Sequence, residues 1–193
     1  MMIVLFMTMS ILEVRNALID GVFDHKLRHQ VSTTNYDTMR ALIQRVTSAH
    51  VSVDGSTVGS IDMGLVALIG ITHTDTEEEC RWIAEKILSL RVFPDAEGKM
   101  NRSISDVGGG VLLVSQFTLY GDLTKGTRPS FIRAAGGDVA RPLFDAFVGI
   151  MQDRITNEKT PVTLATGVFG AMMQVHLVND GPVTILLERS HDP

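Results

Sequence analysis

Ser115-Gln116-Phe117-Thr118 follows directly on an apolar run at residues 111–114. A Ser, an amide and a Thr leaving a hydrophobic strand are residue types that line a pocket, because strand ends are where a rigid scaffold presents polar groups. A plain strand-to-loop transition, capped by its own side chains, is the alternative these residues allow. Asn179-Asp180-Gly181-Pro182-Val183-Thr184 is the second such segment. Asp-Gly-Pro between two strand-like runs reads first as a hairpin turn. A cis Gly181–Pro182 bond is the other possibility, and it would aim neighbouring carbonyl oxygens to one side as a rigid pair of acceptors. The third feature is charge: residues 99–133 hold five basic side chains (Lys99, Arg102, Lys125, Arg128, Arg133) against Asp106 and Asp122, a local excess of +3. A positive rim around a pocket suits a phosphate-bearing ligand, and a solvated loop is the bland reading of the same charges.

Other chemistries are excluded or unsupported. There is no GxSxG elbow, P-loop, GxGxxG or HExxH. Gly108-Gly109-Gly110 precedes a strand, whereas a phosphate loop opens a helix N-terminus. His50, His73, His176 and His191 are scattered without metal-ligand spacing, and His176, on an alternating strand, reads as structural. Cys80 is flanked by Glu79, which would not stabilise a thiolate, so it reads as buried or inert. One Cys in the chain leaves no disulfide framework and no multi-thiolate zinc site, and it fits a reducing compartment. The net charge of −5 argues against a protein that coats nucleic acid through general basicity.

The elements that must position these residues suit one domain, since 193 residues with 45% hydrophobic and 20% charged positions is an ordinary globular composition. Residues 1–38 read as an extension outside it, as a start codon placed too far upstream would give. The apolar stretch at residues 1–12 lacks a basic lead and a cleavage pattern, and it is too short for a bilayer, so a membrane-targeting segment is the weaker reading. The domain then spans residues 39–190. Residues 40–47 and 50–53 are β-branched runs, Asp54-Gly55 is a hairpin signal, and residues 56–61 return as the partner strand. Residues 64–72 are almost wholly apolar, as a strand buried on both faces would be. Asp75 or Thr76 caps a helix through residue 90, with Trp82, Ile83, Ile87 and Leu90 on one face. Residues 91–102 suit a long hairpin and residues 121–133 a loop. Asp138 caps a second helix with Leu143, Phe144, Phe147, Ile150 and Met151 at helical spacing. Two final strands are expected at residues 171–178 and 183–188. Strands at both ends with two main helices between them predict an α+β fold with mostly antiparallel, barrel-like sheet.

In order along the chain, these segments resemble the D-aminoacyl-tRNA deacylases. Arg40-Ala41-Leu42-Ile43-Gln44-Arg45-Val46 is similar to that family's first strand, and Phe93-Pro94-Asp95 with Gly98-Lys99-Met100-Asn101 to its hairpin. Ser115-Gln116-Phe117-Thr118 resembles its Ser-Gln-x-x active-site motif, followed by Arg128-Pro129-Ser130-Phe131. Asn179 to Thr184 resembles its Gly-cisPro motif. The resemblance runs over residues 39–188; the departures are the extension and Thr127, where Asn is more usual.

The resemblance implies a single deacylase-type domain that hydrolyses the ester of D-aminoacyl-tRNA, releasing free D-amino acid and tRNA as a proofreading step, with glycyl-tRNA incompletely excluded. Ser115, Gln116, Phe117 and Thr118 would be catalytic. Gly181 and Pro182, held by Arg45, would bind the substrate and select its chirality. It also implies a cytoplasmic homodimer, each active site joining Ser115 to Thr118 of one chain with Gly181-Pro182 of the other around the aminoacyl-tRNA 3′ end, with no metal, cofactor or membrane. Backbone N–H groups of Ser115 to Phe117 would stabilise the oxyanion. Thr118 is either nucleophile or positioning group, and positioning is favoured because no general base stands beside it in sequence. An RNA-binding module using the basic rim, and a hydrolase of small amino-acid esters, are the alternatives.

Overall fold

The structure is a computed structural model and describes residues 38–190. Residues 1–37 of the expected extension, and His191, lie outside that range; Thr38, expected in the extension, instead opens the first strand, where it pairs with Ser190. Strand β1 (Thr38–Val53) alternates buried and partly exposed side chains over its first half. Asp54 and Gly55, at φ 49° and 79°, then turn the chain into β2 (Ser56–Ile61), as a two-residue hairpin loop requires. β3 (Gly64–Gly70) continues along the same edge of β1, antiparallel from Val46↔Gly64 to Arg40↔Gly70. The opposite edge of β1 is taken by β8 (Gln174–Ser190), paired from Thr38↔Ser190 to Ser52↔Gln174. β6 (Gly110–Ser115) and β7 (Thr163–Thr166) extend the sheet beyond β3. A Cβ placed on Gly59 of β2 would lie 2.4 Å from the Thr166 carbonyl oxygen of β7, so the two ends of the sheet nearly meet.

The antiparallel expectation holds for every partner of β1, but β3–β6 and β6–β7 are parallel. Parallel neighbours need long crossovers, and the chain supplies them. Between β3 and β6 come helix α1 (Glu77–Ser89), the β4 (Phe93–Pro94)–β5 (Met100–Arg102) hairpin and α2 (Ile104–Val107). Between β6 and β7 comes α3 (Gly137–Asn157). Thr76 caps α1, accepting from Glu78 N at 3.2 Å, while the Glu79 carboxylate takes the Thr76 N–H at 2.8 Å. This reciprocal box also explains why Glu79 is buried: its charge lies at the positive end of the helix. The cap of α3 is Gly136, and Asp138 sits in the first turn instead. A side chain at 136 would meet Asp138 Oδ1 at 2.6 Å, so the carboxylate would have to swing aside to admit one. In the β4–β5 hairpin, Asp95 accepts from Asn101 Nδ2 and from Lys99 N and Glu97 N. The Asn101 bond first, then the backbone bonds, hold its carboxyl below the usual range. The hairpin tip is therefore supported above that range and loses the support as pH falls through the depressed value.

Two cores lie on either side of β3, as its near-continuous apolar run implies. Leu65, Ala67 and Ile69 pack with the helices, against Ile83, Ile87, Phe144 and Phe147, whereas Val66 joins Leu112 and Val114 in the barrel interior. β1 serves both cores in turn: Met39, Ala41 and Ile43 join the helices, and Val46, Ala49 and Val51 join the interior. A period of two cannot do this unless the register breaks, and it breaks between Gln44 and Ser48.

Gly64 and Gly110 face each other where β3 meets β6. A Cβ on Gly64 would lie 1.9 Å from the Gly110 carbonyl oxygen, which is backbone and cannot swing aside. Gly64→Ala should therefore lower the unfolding free energy by about 3 kcal/mol, the upper part of the range for overpacking. The measurement is the urea midpoint; a midpoint equal to that of the unaltered protein would show that β3 and β6 can separate at this level.

Candidate active site

β6 ends at Ser115, and the next N–H, that of Gln116, donates to Ile69 O at 2.7 Å. A 3-10 turn then covers Phe117–Tyr120, with Leu119 N bonded to Gln116 O at 3.3 Å and Gly121 N to Thr118 O at 3.0 Å. The first N–H groups of such a turn have no partner within it. Here these are Phe117 and Thr118, and Gln116 places no side chain over them. Gln116 Nε2 instead donates to Thr118 Oγ1.

These residues form the polar end of a cavity of about 530 Å³. Its apolar walls come from Ile69 and Ile71, from Ala140 of α3, and from residues 169–173 ahead of β8. None of the described residues lining it carries an ionisable side chain. Sequence reasoning placed residues 171–173 in a strand and missed this wall; the strand begins at Gln174. The available signal was Phe169, Met172 and Met173 packed between and just after Gly167 and Gly170, an apolar run too glycine-rich for a buried strand.

Gly181 and Pro182 are not among the residues lining that cavity. The expected hairpin turn is absent, because β8 runs straight through and pairs with β1 on both sides of the segment. Gln44 pairs with Thr184 and Val46 with Asn179, so residues 180–183 bulge out opposite Arg45 alone. The Gly181–Pro182 bond is cis, Gly181 has φ +116°, and both residues are exposed. Arg45 holds the bulge: its Nε lies 2.9 Å from Asp180 Oδ2, its Nη1 donates to Val92 O, and its Nη2 lies 3.0 Å from where a Gly181 Cβ would be. Asn179 Nδ2 closes the base of the bulge on Val183 O at 3.3 Å.

The loop carrying Lys125 and Arg128 is tied back to the 3-10 turn. Asp122 and Ser130 exchange backbone bonds of 2.8 and 2.9 Å, and Phe131 sets its ring edge-on to Phe117 at 5.1 Å. The two exposed cations therefore hang from the element that lines the cavity. His176 is away from the cavity and stacks on His50 across the β1–β8 pair at 4.4 Å. Among the described residues, no three His, Cys, Asp or Glu side chains gather as metal ligands, and no helix is long and apolar enough to cross a membrane.

A family described as D-Tyr-tRNA(Tyr) deacylase matches residues 42–188. A D-aminoacyl-tRNA deacylase of Thermus aquaticus is 56% identical over 155 residues, covering 80% of this chain and 98% of that one. The chain belongs to the D-aminoacyl-tRNA deacylase family. A second D-aminoacyl-tRNA deacylase, from Halalkalibacterium halodurans, is 53% identical over 150 residues, 78% of this chain and 99% of that one. The solved structure of a "c-Myc DNA Unwinding Element Binding Protein" superposes with a TM-score of 0.71 at 40% identity, covering 79% of this chain and 99% of that one. A "probable eukaryotic D-amino acid tRNA deacylase", at 19% identity and a TM-score of 0.66 over 78% of this chain and 99% of that one, shares the fold. The function of the deacylase family is hydrolysis of D-aminoacyl-tRNA, an ester-bond hydrolase reaction.

Cys80 does not line the cavity. It is fully buried in α1, and burial, with Asp75 and Glu79 adding to it, pushes its thiol up to about 12. A thiol reagent at pH 8 should leave the native protein unmodified and titrate one group only after denaturation. Stoichiometric reaction in the native state, followed by absorbance, would contradict this placement.

Proposed function

We propose that this chain hydrolyses D-aminoacyl-tRNA at a site made by two copies, one supplying Ser115 to Thr118 and the other Gly181-Pro182. The observation that carries the reading is the separation of the two segments: Gly181 and Pro182 are anchored by Arg45 and exposed, yet stand outside the cavity of their own chain. A second copy is the economical source of the missing half in each cavity. The carbonyl oxygens around Gly181-Pro182 would then engage the substrate's α-amino group. An L side chain would run into that rigid turn, whereas a D side chain points away from it, and glycine meets no obstacle.

The chemistry follows from what the cavity holds. With no ionisable group among the described residues of its lining, ester cleavage would rest on positioning and on stabilising the tetrahedral oxyanion. The Gln116 N–H is committed to Ile69 O, so the donors narrow to Phe117 and extend to Thr118 at the start of the turn. Thr118 Oγ1 accepts from Gln116 Nε2, an arrangement that fixes the hydroxyl without deprotonating it. It therefore serves as a positioning group, and the neighbouring 2′-OH of the substrate's terminal ribose is the remaining candidate to assist the attack. Lys125 and Arg128 would meet tRNA phosphates. The reaction belongs in the cytoplasm, where aminoacyl-tRNA is used, and residues 1–37 would be dispensable for it, Thr38 being the first residue of β1.

The test is release of amino acid from matched D- and L-aminoacylated tRNA by a chain lacking residues 1–37. Cleavage of the D form alone is expected; equal cleavage of both would leave an esterase without the chiral filter, and binding without cleavage would favour the RNA-binding reading. Thr118→Ala should keep substantial turnover, and complete loss with intact binding would refute the positioning role. Gly181→Ala forces a Cβ into a left-handed φ 3.0 Å from Arg45 Nη2, so the D/L ratio should fall. Lys125→Glu with Arg128→Glu should raise KM and flatten its dependence on salt.

A further inference from the structure

Arg40 lies five residues before Arg45 on β1, in a row where Gly70, Arg40 and Glu188 stand directly opposite one another across β3, β1 and β8. The glycine leaves a socket in that row. Tyr120 Cε2 and Leu119 Cβ lie 3.0 and 3.3 Å from where a Gly70 Cβ would be. Tyr120 is fully buried, and its hydroxyl donates to Thr38 O at 2.8 Å. Over its ring, 5.0 Å from the centroid, sits the Arg40 guanidinium. Nη1 of that group donates to Leu119 O at 2.7 Å, and Nε lies 3.0 Å from Glu188 Oε1, a pairing of opposed charges across the strands.

We propose that Arg40 is a positioning residue for the catalytic turn: held by Glu188, its guanidinium fixes the carbonyl of the residue after Thr118 and so sets the aim of the Phe117 and Thr118 groups into the cavity. The inference rests on the reading of Ser115 to Thr118 as the catalytic segment. A four-residue 3-10 turn has little rigidity of its own, so its placement depends on outside ties. At its start the tie is the Gln116 bond to Ile69; at its end the ties are Tyr120 in the Gly70 socket and Arg40 on Leu119 O. The last carbonyls of a helical turn lack partners within it and carry partial negative charge, which a cation satisfies. A planar guanidinium reaches a carbonyl and a carboxylate together, where a single ammonium cannot hold both in the same geometry. The side chain is 18% exposed, so the contact is largely shielded from water.

Arg40→Met, Arg40→Lys and Glu188→Gln separate this role from simple strand cross-linking. Saturating single-turnover cleavage of D-aminoacyl-tRNA should fall about tenfold in Arg40→Met, since small misplacements at a positioned site cost up to about a hundredfold. Half-saturation should move by less than about twofold, because the tRNA contacts and the opposing Gly181-Pro182 are untouched. Arg40→Lys should recover part of the rate and Glu188→Gln should lose part of it. Amide hydrogen exchange, which needs no activity, should quicken at Leu119 and Gly121 in Arg40→Met while residues 41–46 of β1 stay protected. A wild-type rate per folded molecule, or exchange that quickens everywhere in step with a lower Tm, would overturn the proposal. A wild-type chain inactive on D-aminoacyl-tRNA would instead refute the assigned reaction, and the exchange result would still decide whether Arg40 holds the turn.

Discussion

The molecule depends on a mismatch in one ladder. Between Gln44 and Val46, β1 has a single residue, Arg45; between the partners of those two, β8 has four, residues 180–183. The surplus must leave the sheet, which makes the bulge that carries Gly181-Pro182. A second irregularity follows at once: between Val46 and Ser48, β1 has the extra residue Thr47 against the successive Asn179 and Val178 of β8. This shifts its alternation so that Met39, Ala41 and Ile43 serve the helical core while Val46, Ala49 and Val51 fill the interior of the curled sheet. Arg45 sits opposite the bulge, and its fork ties Asp180 to the Val92 carbonyl ahead of the β4–β5 hairpin. Two adjacent irregularities thus create an exposed turn, place its anchor opposite it, and join two cores through one strand.

Features written in local chemistry were legible from the residues. The capping box of Thr76 and Glu79, the Asp54-Gly55 hairpin, the doubly buried run of β3 and the apolar stripe of Phe144, Phe147 and Met151 each follow from neighbours a few positions apart. Ser115 to Thr118 was legible as a place, the polar end of a buried strand, but the residues alone left a plain strand-to-loop transition open and only the resemblance singled them out. What escaped was set by distant partners. Asp-Gly-Pro has the composition of a hairpin turn, and only β1 passing alongside both flanks makes it a bulge. Asp138 has the right chemistry for a cap, but its carboxylate occupies the space over Gly136. The parallel pairs around β6 were hidden for a similar reason: a short apolar strand carries no mark of its neighbours' direction.

An apolar cavity with hydroxyl, amide and N–H groups at one end has consequences for the proposed catalysis. On the proposed reading, a cavity whose described lining has no titratable side chain would draw its rate from geometry that is fixed before substrate arrives. The surroundings are built for that. Ser115 is carried on a strand buried between two cores, the turn that follows is pinned at both ends, and the cationic loop beyond it is fastened through Phe131 to Phe117. A site that works in this way would be sensitive to small displacements of its scaffold.

The bulge has a further consequence for solubility. Among the described residues β8 pairs only with β1, which leaves its other side as an edge of up to seventeen residues. A long unprotected edge of that kind invites another chain to add strands and seed aggregation. Residues 180–183 interrupt the edge near its middle, and Pro182 offers no N–H to a newcomer. The segment that displays Gly181 therefore also divides the edge into two short pieces, a safeguard against runaway sheet growth built from the same four residues.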